Sequence, residues 1–463
     1  MKQKVSRRQF LQGTGLMASA ALVAACTPVS PPAPPAPAAT TAPEAGAAAT
    51  TAPPAEVKTL EAWSRMTDVA AESQKGIIEN YNAKNTGVKC EFVYIAQTAG
   101  SQADEKLLTA VAGGTPPGAY YADRFTVPQF AYQGFFEDIT EPAKAAGVTA
   151  DQYFDFAWQE ATYKDRIYCL PFDTDTRALW YNKDIFKEAG LDPEKPPQTL
   201  DELKQVASKL SVKGAGGQLT RFGFHPLFDQ AWLYTWGFCF KGEFQDPATK
   251  KITFAHPNNI KAMEYMKGWV DEIGIQDVDA MLAACAGSAC DGPNDWFWTG
   301  QFASIISGDW KVSQQKQYKP DGNYGVVPMP GPDGPAPFAS WAGGWSWAIP
   351  KGYKDIPAAF DVVSYFCGVE GQTKYNKDTY HIPTMKKVAE DPYFRENPLH
   401  AVFMDLLPVS HTRPPIPFGS KLWDLQYTAF RDEIPHGTKT PEQALTDIDT
   451  TINKDLEEAG FFA

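Results

Sequence analysis

The chain reads as an α/β protein in two domains. Candidate strands alternate with helical patterns along much of its length, the arrangement that builds a parallel sheet flanked by helices. Its 463 residues, 43% of them hydrophobic, can bury a large core, and that length suits two domains. The formal net charge of −13 and the lack of a basic stripe argue against a nucleic-acid partner. Aromatic residues make up 13% of the chain and include 13 tryptophans, whose flat faces with one polar handle serve cores and sugar rings alike.

The first segments stand outside the fold. Ser6-Arg7-Arg8-Gln9-Phe10-Leu11 resembles a twin-arginine export signal. The apolar run 16–25 behind it is too short to stay in a bilayer as a spanning helix. Val23-Ala24-Ala25-Cys26 resembles a lipoprotein box, which implies cleavage before Cys26 and lipidation of its thiol. Residues 27–56 are Pro, Ala and Thr with almost no charge, a composition that cannot form a core and behaves as a tether. Together these features predict a domain held outside the cytoplasmic membrane by a lipid anchor.

The folded part begins with 57–63 (VKTLEAW), an alternating strand, then a loop at 64–68 and a helix to about 85. A second strand at 87–95, a helix at 103–112 and a third strand ending in Tyr120-Tyr121-Ala122-Asp123 follow. Ligands of parallel α/β sheets sit beyond the carboxyl ends of the strands, which makes Trp63, Asp68, Tyr121 and Asp123 candidates. Asp123 can instead cap a helix or pair with an arginine, and Arg124 beside it is placed to orient it.

The stretch 170–210 organises the middle of the chain. RALWY (177–181) is an apolar, aromatic run suited to a buried strand. Asn182 can cap the helix that follows, with Ile185, Phe186 and Ala189 on its inner side and Gly190 ending it. Prolines in LDPEKPPQT stiffen the connection, and Thr199 with Glu202 forms a capping box before Leu203, Val206, Ala207 and Leu210. Just upstream, Asp173 and Asp175 form a carboxylate pair. Two residues along an extended strand is about 6–7 Å between Cα atoms, so a glycosidase pair is open on distance, provided both face one substrate and one has a raised pKa.

Farther on, Trp232 and Trp236 stand at i and i+4 on one helix face, a spacing found more often in a core than in a ligand platform. His225, before Pro226, reads as a hydrogen-bonding residue rather than a metal ligand. An amphipathic helix is expected at 257–274 and a strand at 323–328. TGQFASIISGDW (299–310) ends in a glycine that permits a tight turn before Asp309 and Trp310. SWAGGWSWAI (340–349) sets Gly343-Gly344 between Trp341 and Trp345, a pivot able to absorb φ/ψ change. Helices are expected at 358–366 and 440–456, the latter opened by a Thr440–Gln443 capping box, and Trp423 sits at another helix start.

Taken in order, strand–Tyr–Asn–Lys–Asp–helix–Gly–Leu, then Pro-Pro-Gln-Thr and Asp-Glu-Leu, together with YYADRFTVPQFAYQGFFEDIT, SGDW and the 340–349 segment, the chain resembles the substrate-binding proteins of bacterial ABC importers. More narrowly it is similar to the carbohydrate-binding, maltose-binding-protein-like family. The resemblance runs over nearly all of 57–463, and the proline-rich PPIPF near Trp423 is its one departure. It implies a two-lobed periplasmic-binding-protein-like fold with hinge crossovers and a central cleft: 57–171 and 344–407 in the first lobe, 172–343 and 408–463 in the second. The ligand-binding set it implies adds Asp173, Asp175, Trp232, Trp310, Trp341, Gly343, Trp345 and Trp423 to the four candidates above. The implied partners are a carbohydrate ligand, an ABC permease and the membrane through the lipid anchor, with the chain a monomer. Few basic residues accompany the candidate cleft positions, which counts against an anionic ligand.

Other readings stay open: the same fold binding a polyol, glycerol phosphodiester, osmolyte or peptide, or a secreted glycoside hydrolase. No serine-hydrolase, zinc-protease or nucleotide-binding motif is present, and neither cofactor nor metal is expected. Of seven cysteines, Cys285 and Cys290 are near enough to suggest a disulfide, and the spacings match no zinc pattern.

Overall fold

The computed structural model describes residues 57–96, 104–285, 289–290 and 292–462. The export signal, Cys26 and the tether therefore lie outside the described residues, and among those residues no helix is long and apolar enough to cross a membrane.

Two sheets organise the two lobes. The larger has five strands in the order Val88–Tyr94, Lys58–Ser64, Ala119–Asp123, Trp345–Ala348, Cys169–Pro171. Its first three strands run parallel, as the strand–helix alternation predicts. The last two are antiparallel additions, one of them from the far end of the sequence. Leu60, Ala62, Ile77, Ile78 and Tyr81 pack together on one face of this sheet, so burying the apolar side of the helix Asp68–Asn82. The smaller sheet is antiparallel, Ser304–Gly308, Arg177–Asn182, Tyr324–Val327, with the RALWY strand in its centre. A strand bonded on both edges and covered on both faces needs a continuous apolar run, which is what residues 178–181 supply.

Local signals place several boundaries. The Asn182 side chain accepts from the backbone N–H groups of Asp184 and Ile185 and starts the helix Lys183–Glu188, and Gly190 follows in the left-handed region at φ 72°. Thr199 and Glu202 form a reciprocal box before Leu200–Leu210, and Thr440 and Gln443 do the same before Pro441–Glu458. Cys285 and Cys290 form a disulfide, whereas Cys90, Cys169, Cys239 and Cys367 are buried thiols.

One expected boundary is displaced. Residues 380–407, read as part of the first lobe, pack with the smaller sheet instead: Tyr380, Ile382, Phe394, Phe403 and Leu406 share a core with Trp180 and Phe302. The Phe403 ring lies 5.9 Å from Trp180, and the Phe403 carbonyl accepts from the Thr176 hydroxyl.

The chain passes between the sheets at Pro171–Arg177 and again after Val327. These segments are tied side by side. Asp173–Thr174 pairs with Ile382–Pro383, Asp175 bridges to Gly343, and the Thr174 hydroxyl donates to the Gly343 carbonyl at 2.8 Å. Arg124 is the pin. Fully buried, it donates to Glu160 at 3.0 Å and to the carbonyls of Asp173 and Gly343. The expectation that Arg124 orients Asp123 is thus corrected: its guanidinium points into the crossovers, where backbone carbonyls left over from the sheet edges need a donor. Gly344, at φ 125°, has no room for a side chain, because a Cβ there would overlap both Arg124 and the Asp173 carbonyl.

Candidate ligand cleft

A cleft of 430 Å³ opens at the crossovers. Five indoles line it, those of Trp232, Trp310, Trp341, Trp345 and Trp423, together with Asp68, Asp123, Asp175 and Gly343. All were predicted. Three other candidates, Trp63, Tyr121 and Asp173, lie off the cleft wall.

Trp63 fails on strand parity. It shares a sheet face with Leu107, Tyr120 and Phe130, where its Nε1 donates to Glu61 at 2.7 Å and Lys106 lies 4.4 Å from the ring centre. Tyr121 and Asp173 form the layer behind Trp345. The Tyr121 ring stacks on that indole at 5.0 Å and 11°. Its hydroxyl donates to Asp173 at 2.7 Å, and Asp173 also accepts the Trp345 backbone N–H at 2.8 Å. Both groups hold Trp345 in place and are themselves fully buried. Burial pushes the Asp173 carboxyl up, with nearby His381 opposing.

The glycosidase arrangement is therefore not formed. Asp175 lines the cleft and Asp173 does not, so the two carboxylates do not face one substrate. Burial alone would raise Asp175, but Arg177, His381 and the Gly343 N–H outweigh it and hold its carboxyl below the usual range. A carboxylate held ionised is an acceptor for hydroxyl groups, not a proton donor.

Sequence reasoning missed the cations. Arg65, Arg177, Arg413 and His381 all line the cleft, which corrects the expectation of few basic residues there. Each arginine is matched to a carboxylate: Arg65 to Asp104 at 2.6 Å, Arg177 to Asp175, and Arg413 to Asp123 at 2.8 Å. Each also faces an indole. Arg177 stacks on Trp341 with its guanidinium carbon 3.6 Å from the ring centre and lies 5.5 Å from Trp310. Arg413 stands 5.1 Å from Trp341 and 5.7 Å from Trp423, and Arg65 is 5.1 Å from Trp345. Trp341 is consequently covered, only 2% exposed, with its Nε1 donating to Thr235. Trp232, Trp310 and Trp345 remain half-buried, with ring surface to offer.

The signals for these cations were present but weak. Arg413 lies in the HTRPPIPF segment, where the chain departs from the family pattern, and Arg177 was absorbed into the strand it begins. His381 stands beside Asp309, which is fully buried and absent from the cleft wall. The pair lies 3.3 Å apart. Burial opposes the His381 charge, but Asp309 and Asp173 prevail and raise it to about 9. Burial lifts Asp309 to about 7 despite His381. Elsewhere, His225 is buried with Nδ1 accepting from the Leu227 N–H, a structural role. Among the described residues no cluster could hold a metal ion.

A two-lobed α/β body with crossovers at the base of an aromatic, polar cleft defines a protein that captures a small solute between its lobes. The family profile of bacterial extracellular solute-binding proteins matches residues 63–373, and the chain belongs to that family. It is 26% identical over 305 residues to a maltooligosaccharide ABC transporter solute-binding lipoprotein of Streptococcus pneumoniae, covering 63% of this chain and 66% of that relative, just under two thirds of its length. Among solved structures it is similar to CpMnBP1 with mannobiose bound, at a TM-score of 0.75 and 25% identity over 85% of this chain and 99% of the other. It is also similar to an ABC transporter solute-binding protein from Thermotoga lettingae TMO bound with alpha-D-tagatose, at a TM-score of 0.71 and 26% identity over 86% and 99% of the two chains.

Proposed function

We propose that the protein is the substrate-binding lipoprotein of an ABC importer, that it takes a saccharide into the cleft between its lobes, and that it delivers the sugar unchanged to a membrane permease. The observation that carries the reading is the composition of the cleft wall. Half-buried indoles share the wall with largely buried Arg–Asp ion pairs, which set donors and acceptors side by side along it. A sugar ring offers C–H patches on its faces and hydroxyls on its rim, each hydroxyl both donor and acceptor, so indoles and Arg–Asp pairs match it group for group.

Lobes joined by pinned crossovers close as bodies about a hinge. A ligand touching both lobes favours the closed form only by its differential affinity for that form. No covalent step is needed. The predicted lipid anchor at Cys26 keeps such a protein near its permease.

The three arginines favour a neutral saccharide over an anion, because each is already neutralised by a carboxylate. An incoming anion would compete with Asp104, Asp123 and Asp175 for donors. The test is a thermal-shift screen, in which a ligand that binds the folded state alone raises Tm. Neutral mono- and oligosaccharides are expected to raise it, and glycerol phosphodiesters, osmolytes and peptides are not. A shift confined to one of those other classes overturns the saccharide assignment, and steady turnover of a glycoside overturns the binding-only mechanism.

A further inference from the structure

Two polar side chains in the cleft wall, His381 and Asp175, each keep one edge free of protein partners. The strand Ile382–Pro383 pairs antiparallel with Asp173–Thr174, with Ile382 opposite Thr174. His381 and Asp175 are the next residues along, one on each segment, so the end of this short ladder brings both into the cleft wall. The His381 ring is held from several sides. Tyr375 stacks on it with centroids 5.8 Å apart and planes at 2°, Trp310 stands 5.9 Å away, and Nδ1 is buried against Asp309 at 3.3 Å. The side chain is 9% exposed. That exposure lies at the opposite edge, where Nε2 has no hydrogen-bond partner among the described residues and faces the cleft.

Asp175 shows the complementary pattern. Arg177 and the Gly343 N–H both bond to its Oδ1, which leaves Oδ2 without a donor among the described residues. Trp310 lines the same wall, half-buried, 5.5 Å from the guanidinium that holds Asp175. An imidazolium carries N–H on both nitrogens, so with Nδ1 given to Asp309 the other N–H is left for a ligand. Burial opposes that charge, but Asp309 and Asp173 raise the ring to about 9. The titratable groups around it are Asp309, Asp173, Asp175, Tyr375 and His400. A sugar ring laid on an indole turns its hydroxyls outward from its rim, where a free donor and a free acceptor take one each.

We infer that His381 and Asp175 read two hydroxyls of a sugar ring stacked on Trp310, His381 donating from Nε2 to one hydroxyl oxygen and Asp175 accepting the proton of another at Oδ2. The inference rests on the saccharide reading above and adds the groups that select the sugar. Asp309 is a positioning residue here: it holds the imidazole with Nε2 outward and touches no ligand. A sugar lacking either hydroxyl is rejected, because it leaves a largely buried charged group unpaired.

The test uses titration calorimetry with D-mannose, D-glucose, mannobiose and maltose, then with monodeoxy analogues of whichever binds most tightly. His381→Leu is expected to weaken the parent sugar by roughly tenfold to a hundredfold, the scale of one hydrogen bond to a charged group. Against one deoxy analogue that loss should vanish, since the hydroxyl His381 reads is already gone; a residue that merely supports the wall would weaken every analogue alike. Between pH 7 and pH 10 parental affinity should fall by roughly threefold to tenfold, because the proton that remains sits on Nδ1 beside Asp309 and Nε2 turns from charged donor to acceptor. His381→Gln, which keeps an N–H donor that does not titrate, should flatten the profile, and Asp309→Asn should move the fall to lower pH. These profiles decide the matter should His381→Leu fail to fold. A His381→Leu protein that binds within twofold of the parent, an equal loss across all analogues, or a His381→Gln protein with the parental pH profile overturns the assignment and leaves the saccharide reading standing. A parent protein that binds none of the four sugars removes the saccharide reading itself.

Discussion

Asp123 and Arg413, 290 residues apart in sequence, meet in a two-pronged ion pair at the floor of the cleft, with contacts of 2.8 and 3.3 Å. Asp123 ends a strand of the larger sheet and also caps the turn after it by accepting the Phe125 N–H. Arg413 comes from the proline-rich segment that returns past the crossovers, and its guanidinium lies 4.3 Å from the Phe125 ring centre as well as near two indoles. The pair therefore ties the last part of the chain to the first sheet while shaping the binding surface.

Removing one member leaves a buried charge with no counter-ion. Arg413→Met is expected to destabilise the protein by about 3–5 kcal/mol, the usual cost of breaking a buried pair from one side. Adding Asp123→Asn should recover part of that loss, because the stranded charge is gone. Chemical denaturation of the two single variants and the double variant measures the coupling. Losses that simply add would show that the two side chains act independently.

Two tryptophans separate binding from stability. Trp310 is half-buried against the cleft, so Trp310→Ala should weaken saccharide binding by roughly tenfold to a hundredfold, the range of a stacking anchor, with little change in Tm. Trp341 is 2% exposed, bonded to Thr235 and covered by Arg177. Trp341→Ala should lower stability by about 3–5 kcal/mol. Calorimetry and thermal melts on both variants distinguish the roles, and a Trp310→Ala protein that loses stability while binding normally would place that indole in the core.

These cases also show what a sequence reader can and cannot reach. Asn182, Thr199–Glu202 and Thr440–Gln443 were legible because a cap is settled by residues within one helical turn. The parallel half of the larger sheet was legible from strand–helix alternation. Trp63 was misplaced because alternation shows that a strand has two faces but not which face meets the cleft. Asp173 and Asp175, two apart and so alike in strand parity, part because the strand ends at Thr174 and the crossover bends between them, leaving one turned to Tyr121 and the other to Arg177. Arg413 was invisible because no local pattern announces a partner 290 residues away. The 380–407 segment went to the wrong side of the crossovers because its apolar pattern suits either core.

Stability should fall as pH rises from about 6.5 to about 9. His381 has an ordinary value of 6.5 and is raised to about 9 in the fold, since Asp309 and Asp173 outweigh its burial. A group whose pKa is higher folded than unfolded contributes stability that is complete below the unfolded value and disappears as pH climbs through the folded one. Asp309, raised by burial from 3.8 to about 7, has the same sign but acts earlier, its contribution being lost between about 3.8 and about 7. Thermal melts across this window should show a descending Tm that His381→Gln flattens. An equal slope in that variant would assign the pH dependence to other groups.

The pivot itself can be tested by adding one methyl group. Gly344 holds φ 125°, a backbone region that other residues rarely enter, and a Cβ there would overlap the Arg124 guanidinium and the Asp173 carbonyl. Accommodating it requires either a change of backbone conformation or a shift of the side chain that pins both crossovers. Overpacking alone typically costs about 1–3 kcal/mol, and the forced conformation adds about 1–3 kcal/mol more. Gly344→Ala is expected to lose about 2–6 kcal/mol on this reckoning, and its saccharide affinity should fall because the closed arrangement is no longer reached without strain. Ala342→Gly, in the same segment, leaves the Arg124 contacts untouched and serves as the comparison. If Gly344→Ala melts and binds like that comparison, the Arg124 pin does not govern how the lobes close.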